Sequence, residues 1–355
     1  MYFFRSDLID KKPVSVNVPH KKIMLCLNES SLNPFEILKK QIISKLENVP
    51  FNRYYNEITA ELYQKLADYA GVSEENLAFG NGADEMLYYI FNSVRDNNES
   101  FAVSLAPSYF DYKSYSRAVG LGIKFYDLDK NYDFNVEEFS KFADDKNCKL
   151  VIICNPNNPT GNLFGDDKII RTIENNYDRL VLLDETYFEF SKKTFSDYIN
   201  RFPNLIIVRS FSKAFAAAGL RFGYVISSRE NIRELKKVMT VFHLSLLIQA
   251  ITVVMLDNKN IFLKQIEKTI MLREKLFKSL SLLPKIEIRN TATNFLPFSF
   301  GEKTIELFDF LSRHEIAIRR IDTHPLLKNF VRVSIGNEQE NNIFLEKVSE
   351  FISVK

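Results

Sequence analysis

The sequence lacks several features that mark special classes of protein. It has no tryptophan, and its three cysteines, Cys26, Cys148 and Cys154, form neither a CxxC pair nor a disulfide-dense framework. Its four histidines are scattered along the chain without the spacing of metal ligands. We therefore expect reduced thiols, a cytoplasmic location and no metal site.

An excess of charge of one sign is also missing. The 47 basic residues are balanced by 45 acidic ones, so the net charge of +2 supports neither a nucleic-acid nor a membrane-surface function. The first residues lack the basic lead and apolar stretch of a signal peptide. Polar residues interrupt the longest uncharged run, residues 243–256, so no membrane span is predicted.

The 355 residues are enough for a large core with more than one lobe. Between residues 57 and 226, helical patterns alternate with short apolar runs, which favours an α/β fold with a mostly parallel sheet covered on both faces. The runs that predict strands are 101–105, 123–128, 150–154, 180–183, 205–208 and 223–226.

The pattern changes in the second half of the chain. Residues 229–283 are almost wholly helical in pattern, with a break near Asp257, and from residue 284 a smaller α+β lobe is predicted, with a strand at 316–319. We predict an arm, residues 1–40, that packs on the small domain or on a dimer partner, a large domain at 41–250 and a small domain at 251–355.

Lys213 stands between two of the apolar runs. Ser210 and Ser212 precede it, and Arg221 follows it. A lysine in this position is suited to forming a Schiff base, and the hydroxyls and the guanidinium suit a phosphate group nearby.

Polar residues follow the other predicted strands. The string C-N-P-N-N-P-T-G at 154–161 is a loop made rigid by its prolines, and it favours a functional role for Asn158 over an ordinary turn. Asp184 ends an apolar strand, where a protonated ring nitrogen, a helix N-cap or a core salt bridge could each explain a buried carboxylate. Tyr187 could contact the same ligand or simply pack.

Three further segments are weaker signals. Residues 79–85 read as a glycine-rich turn that leads into a helix, whose start at Ala83 and Asp84 could bind phosphate or be an ordinary capped helix. Tyr109 could stack on a flat cofactor or pack. Arg332 alternates with apolar residues, and its guanidinium suits the binding of a carboxylate. Arg319 is a second candidate for that role, whereas Arg320 is interpreted as a solvated surface charge.

Together these segments resemble the pyridoxal-phosphate (PLP) aminotransferases of fold type I. The strings N-P-N-N-P-T-G, D-E-x-Y, S-x-S-K and G-L-R-x-G-Y occur in that family's order and spacing, and the likeness spans roughly residues 25–350. The strings L-N-E at 27–29, R-Y at 53–54, G-A-D-E at 82–85 and R-V-S-I-G at 332–336 are most similar to the histidinol-phosphate aminotransferase branch.

The resemblance implies the fold, a large domain with a mostly parallel seven-stranded sheet and a small α+β domain, and a role for each candidate residue. Lys213 would bind PLP covalently and act as the base, and Asp184 would pair with the ring nitrogen. The other implied contacts are Asn158 and Tyr187 on the phenolic oxygen, Tyr109 stacked on the ring, Ala83, Asp84, Ser210, Ser212 and Arg221 on the phosphate, Tyr54 from a neighbouring subunit of a homodimer, and Arg332, Arg319 and Asn28 on the substrate.

The chain departs from that branch at two places, which leaves the substrate open. It has N-E-S-S at 28–31 where the branch has N-E-N-P, and R-Y-Y at 53–55 where the branch has R-Y-P. The leading reaction is transfer of an amino group between a small phosphorylated amine or amino acid, best represented by histidinol phosphate, and 2-oxoglutarate. The alternatives are transamination of another phosphorylated or aromatic substrate, a decarboxylase of phosphoserine or phosphothreonine type, and a non-catalytic protein of the same fold.

Overall fold

A computed structural model of the chain describes residues 3, 5–9, 11–13, 20–54 and 57–353, so part of the predicted arm lies outside it. Its strands, in chain order, are β1 (Ile23–Met24), β2 (Leu77–Asn81), β3 (Phe101–Ala106), β4 (Gly122–Asp127), β5 (Cys148–Cys154), β6 (Leu180–Asp184), β7 (Leu205–Ser210), β8 (Phe222–Ser227), β9 (Glu287–Ile288), β10 (Phe295–Ser299), β11 (Ile316–Ala317), β12 (Arg319–Arg320) and β13 (Val331–Ser334).

The α-helices of the described residues lie between these strands and at the ends of the chain. They are α1 (Pro34–Leu46), α2 (Glu57–Ala70), α3 (Gly82–Ser93), α4 (Tyr112–Val119), α5 (Val136–Ala143), α6 (Asp166–Asn175), α7 (Phe188–Ser191), α8 (Arg229–Lys236), α9 (Leu246–Asp257), α10 (Lys259–Ser281), α11 (Thr304–Arg313) and α12 (Glu338–Ser353).

The large sheet has seven strands in the order β2-β8-β7-β6-β5-β3-β4. Only β8 runs antiparallel to its neighbours, so the predicted mostly parallel sheet is confirmed. The central strands β5, β6 and β7 are almost entirely buried, because apolar cores cover both faces of the sheet. The parallel strands end at one edge, and the polar residues that follow them meet there.

The structure contradicts the predicted turn at 79–85 and the single break predicted in the helical pattern of 229–283. The glycines at 79–85 predict a turn, but residues 77–81 form β2 and lead directly into α3. Antiparallel pairing with β8 keeps this segment extended. The helical pattern of 229–283 is interrupted at 237–245 as well as at Asn258. After the first interruption, the side chain of Ser245 caps α9 by accepting a hydrogen bond from the backbone N–H of Ile248.

The small sheet is antiparallel throughout, in the order β12-β13-β10-β9. The predicted strand at 316–319 is instead two short strands in different sheets, because β11 pairs in parallel with β1 and β12 pairs with β13. Leu25, directly after β1, is buried in the same apolar cluster as Leu296 and Val333 of the small sheet. Residues 23–25 of the arm therefore pack with the core of the small sheet, whereas Leu38, which also lies within the predicted arm, is buried in the core of the large sheet.

Helix α10 joins the two sheets. Phe262 and Ile266 near its start belong to the core of the large sheet, whereas Leu272 and Leu276 farther along belong to the core of the small sheet. The change of core therefore falls within α10. The predicted boundaries at residues 40 and 250 stay predictions.

Among the described residues, no single helix is long and apolar enough to cross a membrane. Helices α9 and α10, which are bent by 72° relative to each other, meet the criteria of length and composition as a pair.

A buried ionic cluster lies beside β6 and β7. The Arg209 Nε donates to Glu185 Oε2 at 2.9 Å, and both side chains are almost completely buried. Close by, Glu189 accepts a hydrogen bond from the Tyr69 hydroxyl at 3.2 Å, but its Oε2 has no partner in the described structure. Burial raises the pKa of Glu189 to about 8, although the Arg209 charge opposes that shift.

This raised pKa predicts a pH-dependent stability. Because folded Glu189 keeps its proton to about pH 8 while the unfolded residue ionises near pH 4.5, stability falls as the pH rises between these values. The Glu189→Gln variant has no such titration. The difference between the Tm of the variant and that of the wild type, both measured by calorimetry, should therefore increase from pH 5 to pH 8. A difference in Tm that stays constant over this range would contradict the assignment.

Candidate active site

The polar residues at the strand ends line one cavity of about 720 Å³ between the two sheets. Of the residues singled out in the sequence, only Tyr54 is absent from its lining. The predicted residues that line it are Asn28, Ala83, Asp84, Tyr109, Asn158, Asp184, Tyr187, Ser210, Ser212, Lys213, Arg221, Arg319 and Arg332. The structure therefore brings together segments that are far apart in the sequence.

Lys213 lies in the turn between β7 and β8, and its amine points into the cavity. The Nζ donates a hydrogen bond to the Leu27 carbonyl at 2.8 Å. Burial lowers the pKa of Lys213 to about 8, and the Arg332 guanidinium acts in the same direction. A substantial fraction of this amine is therefore neutral near pH 7–8, as a nucleophile or a base requires.

Asp184 is a buried carboxylate at the end of β6 with no cationic side chain hydrogen-bonded to it in the described structure. Its Oδ2 accepts from the Tyr112 hydroxyl at 2.7 Å, and its Oδ1 accepts from the Thr186 backbone N–H at 3.0 Å. Burial raises the pKa of Asp184, while these hydrogen bonds lower it. A cationic group in the cavity would compensate for the cost of burying this charge.

The loop after β5 is held rigidly in the position that its prolines predict. The Asn157 side chain donates to the Pro107 carbonyl at 2.9 Å and accepts from the Ser108 hydroxyl at 2.9 Å, which ties this loop to the one after β3. Gly161 has a φ of 77°, and a Cβ there would lie 2.4 Å from Thr291 Cγ2. Glycine is therefore needed for both the turn and the packing.

Arg332 is a buried cation that has no carboxylate partner among the described residues. Its Nη1 donates to Asn158 Oδ1 at 2.5 Å and its Nη2 donates to the Cys26 carbonyl at 3.4 Å, while its Nε has no hydrogen-bond partner in the part of the chain that the structure describes. Burial lowers the pKa of Arg332, and the charge of Arg319 lowers it further. Arg319 is the direct cross-strand partner of Arg332, so both guanidinium groups are available to one anion.

A cluster of donors at the start of α3 forms a second anion site. Asn81 precedes α3 without capping it by its side chain, so the amides of the first turn are open to a ligand. Arg221 lies beside them, where Nη1 donates to the Ser212 hydroxyl at 3.4 Å and Nη2 donates to Asp84 Oδ2 at 2.7 Å. A Cβ at Gly223 would lie 2.2 Å from the Ala83 nitrogen, so only glycine lets β8 approach this helix start so closely.

Two tyrosines differ in their placement. Tyr109 lies against the cavity, and its hydroxyl donates to Asp84 Oδ1 at 3.4 Å. Tyr54 is 72% exposed and stacks on Phe242, with the ring centroids 4.1 Å apart, outside the cavity of its own chain.

Sequence reasoning missed Tyr112, which is fully buried and is the side-chain donor to Asp184. A signal was present, because Tyr109 lies three residues before Tyr112, the first residue of α4, in the segment that follows the end of β3. Glu29 also lines the cavity and was not singled out. Asn28 lines the cavity but is only 1% exposed, and its amide binds protein groups. Its contact with the substrate stays a prediction.

Comparison with known proteins identifies the family. The family model for aminotransferase class I and II matches residues 20–348. This chain belongs to that family. It is therefore a PLP-dependent aminotransferase.

One curated relative and two solved structures illustrate what this chain is similar to, and the solved structures share its fold. A histidinol-phosphate aminotransferase of Clostridium novyi (strain NT) is 33% identical over 338 residues, which cover 95% of this chain and 94% of that protein. The crystal structure of histidinol-phosphate aminotransferase from Sinorhizobium meliloti, in complex with pyridoxal-5'-phosphate, has a TM-score of 0.88 at 22% identity and covers 100% of this chain and 99% of its own. The crystal structure of L-threonine-O-3-phosphate decarboxylase from Porphyromonas gingivalis has a TM-score of 0.79 at 23% identity, and the match covers 93% of this chain and 99% of that one.

The cavity of this aminotransferase fits PLP. The open amides at the start of α3, with the Ser212 hydroxyl and Arg221, suit its phosphate. The Asp184 carboxylate suits a protonated pyridine nitrogen, and the buried amine of Lys213 suits the aldehyde carbon.

Proposed function

We propose that this aminotransferase transfers the amino group of a small phosphorylated amine, with histidinol phosphate as the leading candidate, to 2-oxoglutarate. The observation that carries the proposal is the cross-strand pair of Arg319 and Arg332, which lines the cavity without a carboxylate partner on Arg332 in the described structure. The name of the Clostridium novyi relative supports the same substrate.

The chemistry of the two substrates explains why paired arginines are suitable. Histidinol phosphate has a phosphate ester in the region where an amino acid has its α-carboxylate. A phosphate carries nearly two negative charges and can accept from two guanidinium groups, whereas a carboxylate is served by one bidentate arginine. The pair can therefore bind the phosphate of the donor and then the carboxylate of 2-oxoglutarate at the same place.

We assign the reaction steps to residues as follows. When bound, PLP would withdraw electrons from the carbon that carries the transferred amino group. Arg332 and Arg319 hold the anionic group of the substrate, which fixes the reacting carbon within reach of Lys213. The neutral Nζ of Lys213 removes the proton from that carbon and holds it for return, and Asp184 keeps a positive charge on the ring nitrogen. Asn158 and Tyr187 donate hydrogen bonds to the phenolic oxygen.

A substrate panel tests the proposal. The purified enzyme is incubated with 2-oxoglutarate and histidinol phosphate, phosphoserine, phosphothreonine or an aromatic amino acid, and glutamate and CO2 are measured. We expect glutamate to form fastest from histidinol phosphate and no CO2 to be released. Release of CO2 from phosphoserine or phosphothreonine without any need for a keto acid would instead favour the decarboxylase function.

The arginine pair gives a second test. The Arg319→Ala variant should lower kcat/KM for histidinol phosphate by about 10- to 100-fold, because it removes a charged hydrogen bond to the phosphate. The variant should lower kcat/KM for glutamate, the amino donor of the reverse reaction, by a smaller factor. The matched control is Arg320→Ala, since the Arg320 Nη2 is paired with Asp322 at 2.5 Å outside the cavity lining. Equal losses in the two variants would contradict the assignment.

We also propose that the enzyme is a cytoplasmic homodimer with shared sites. Tyr54 and Phe242 form an exposed aromatic pair, and in a dimer the Tyr54 hydroxyl would reach the phosphate end of the partner's cavity. Sedimentation of the protein as a monomer at assay concentrations, with full activity, would contradict this.

A further inference from the structure

Asn28 is at the centre of a buried hydrogen-bond network between the arm and both sheets. Its Nδ2 donates to the Tyr187 hydroxyl at 2.8 Å, and its backbone N–H donates to Ser334 Oγ at 2.8 Å. The Ser334 hydroxyl donates in turn to Asn28 Oδ1 at 3.3 Å, and Asn294 Nδ2 donates to the Asn28 carbonyl at 2.9 Å. Asn28 has a φ of 57°, which asparagine tolerates better than most residues.

The donors and acceptors in this network fix its direction. The Ser334 oxygen accepts from the Asn28 backbone, so its single proton is available for Oδ1. The amide must then present its Nδ2 to Tyr187, whose oxygen accepts. The structure provides no acceptor for the Tyr187 proton among the described residues, and the hydroxyl lines the cavity.

We propose that Asn28 is a positioning residue that directs the Tyr187 proton into the cavity, toward the phenolic oxygen of PLP. The inference rests on the role proposed above for Tyr187 and adds how that role is enforced. It also replaces the expectation that Asn28 binds the substrate, because both polar atoms of its amide are already paired with protein groups.

The pKa of Tyr187 agrees with this arrangement. Burial raises the pKa of Tyr187, so the hydroxyl keeps its proton, while Arg332 and the Asn28 amide oppose that shift. A neutral hydroxyl that accepts from one side is polarised to donate on the other, because linked hydrogen bonds strengthen each other.

Two substitutions at position 28 separate this role from a merely structural one. Asn28→Asp keeps the size of the side chain but replaces the donor with a carboxylate, which would take the Tyr187 proton away from PLP. Asn28→Gly keeps the left-handed backbone and removes the side chain, so the Tyr187 proton stays available. A role in packing predicts that glycine is the worse substitution, because it leaves a void and an unpaired Ser334 hydroxyl.

The readout is the pH titration of the visible absorption band of the PLP-loaded enzyme without substrate. Loss of the donor to the phenolic oxygen leaves more negative charge there, so it should raise the pKa of the linked Lys213 nitrogen. We expect this pKa to increase in Tyr187→Phe, to increase by a similar amount in Asn28→Asp and to increase less in Asn28→Gly. The KM for the amino donor should change little in Asn28→Gly.

The Tyr187→Phe background corrects for the added charge of the aspartate. If Tyr187 transmits the effect, the increase in pKa that Asn28→Asp causes should be smaller in that background than in the wild type, by at least about 0.4 units. Should Asn28→Asp fail to fold, Ser334→Ala frees the amide to rotate and should raise the pKa only when Tyr187 is present.

The outcomes distinguish the two proposals. If Tyr187→Phe leaves the titration unchanged, the proposed role of Tyr187 fails. If Tyr187→Phe shifts the titration but Asn28→Asp and Ser334→Ala do not, or if Asn28→Gly shifts it as much as Asn28→Asp, the positioning role of Asn28 is overturned. A raised KM in Asn28→Gly with an unchanged titration would return Asn28 to substrate binding.

Discussion

Replacing Lys213 by alanine is expected to lower kcat by at least about 10³-fold, because the same amine binds the cofactor covalently and transfers the proton. Borohydride treatment should attach PLP permanently to the wild type and not to the Lys213→Ala variant. The buried position of the amine and its pKa of about 8 are the structural reasons, since they keep it reactive near neutral pH. Steady-state kinetics and the mass of the borohydride-treated protein provide the two measurements.

The matched control is Lys278→Ala, which removes an exposed lysine of α10. It should leave both the rate and the borohydride adduct unchanged. An adduct that persists in Lys213→Ala would show that another lysine binds PLP and would contradict the assignment of the whole cavity. A colourless wild type after incubation with PLP would show that no Schiff base forms, which would contradict the same assignment.

Replacing Asp184 by asparagine is expected to have the next largest effect. The neutral amide is nearly isosteric but cannot balance the charge of a protonated ring nitrogen in a buried site. Loss of one partner from a buried ion pair costs about 3–5 kcal/mol, which corresponds to a fall in kcat of about 10²- to 5 × 10³-fold. Single-turnover kinetics with the amino donor measure this step directly.

Tyr112→Phe is the graded comparison for Asp184→Asn. It keeps the carboxylate and removes only the hydrogen bond at 2.7 Å to Asp184 Oδ2. A hydrogen bond has a net worth of about 0.5–1.5 kcal/mol, so kcat should fall about 10-fold or less. If Asp184→Asn were no worse than Tyr112→Phe, the charge of Asp184 would not be what matters.

The parts of the fold that the sequence predicted best are those set by burial. Strands β5, β6 and β7 are continuous apolar runs, and a run of this kind between turn signals has few alternatives in a mostly parallel sheet. The candidate residues directly follow such strands, so the topology brought Asn158 and Asp184 to the same edge.

The parts that sequence reasoning missed depend on tertiary contacts. Nothing local shows that residues 77–81 are extended, because their pairing with β8 decides it. The same holds for Asn28, since its partners Tyr187 and Ser334 are 159 and 306 residues away and only the folded chain reveals them. Tyr112 is an intermediate case, with a visible spacing to Tyr109 but no local sign of its carboxylate partner.

The pairing of the arm strand β1 with β11 has a consequence for the synthesis of the protein. Strand β1 cannot pair until β11 has left the ribosome, and the Asn28 network waits for Ser334, 306 residues later. The seven strands of the large sheet all precede residue 230, so that sheet is available to fold earlier. A nascent chain would thus carry Lys213 and Asp184 before the wall of the cavity that contains Leu27 and Asn28 has closed over them.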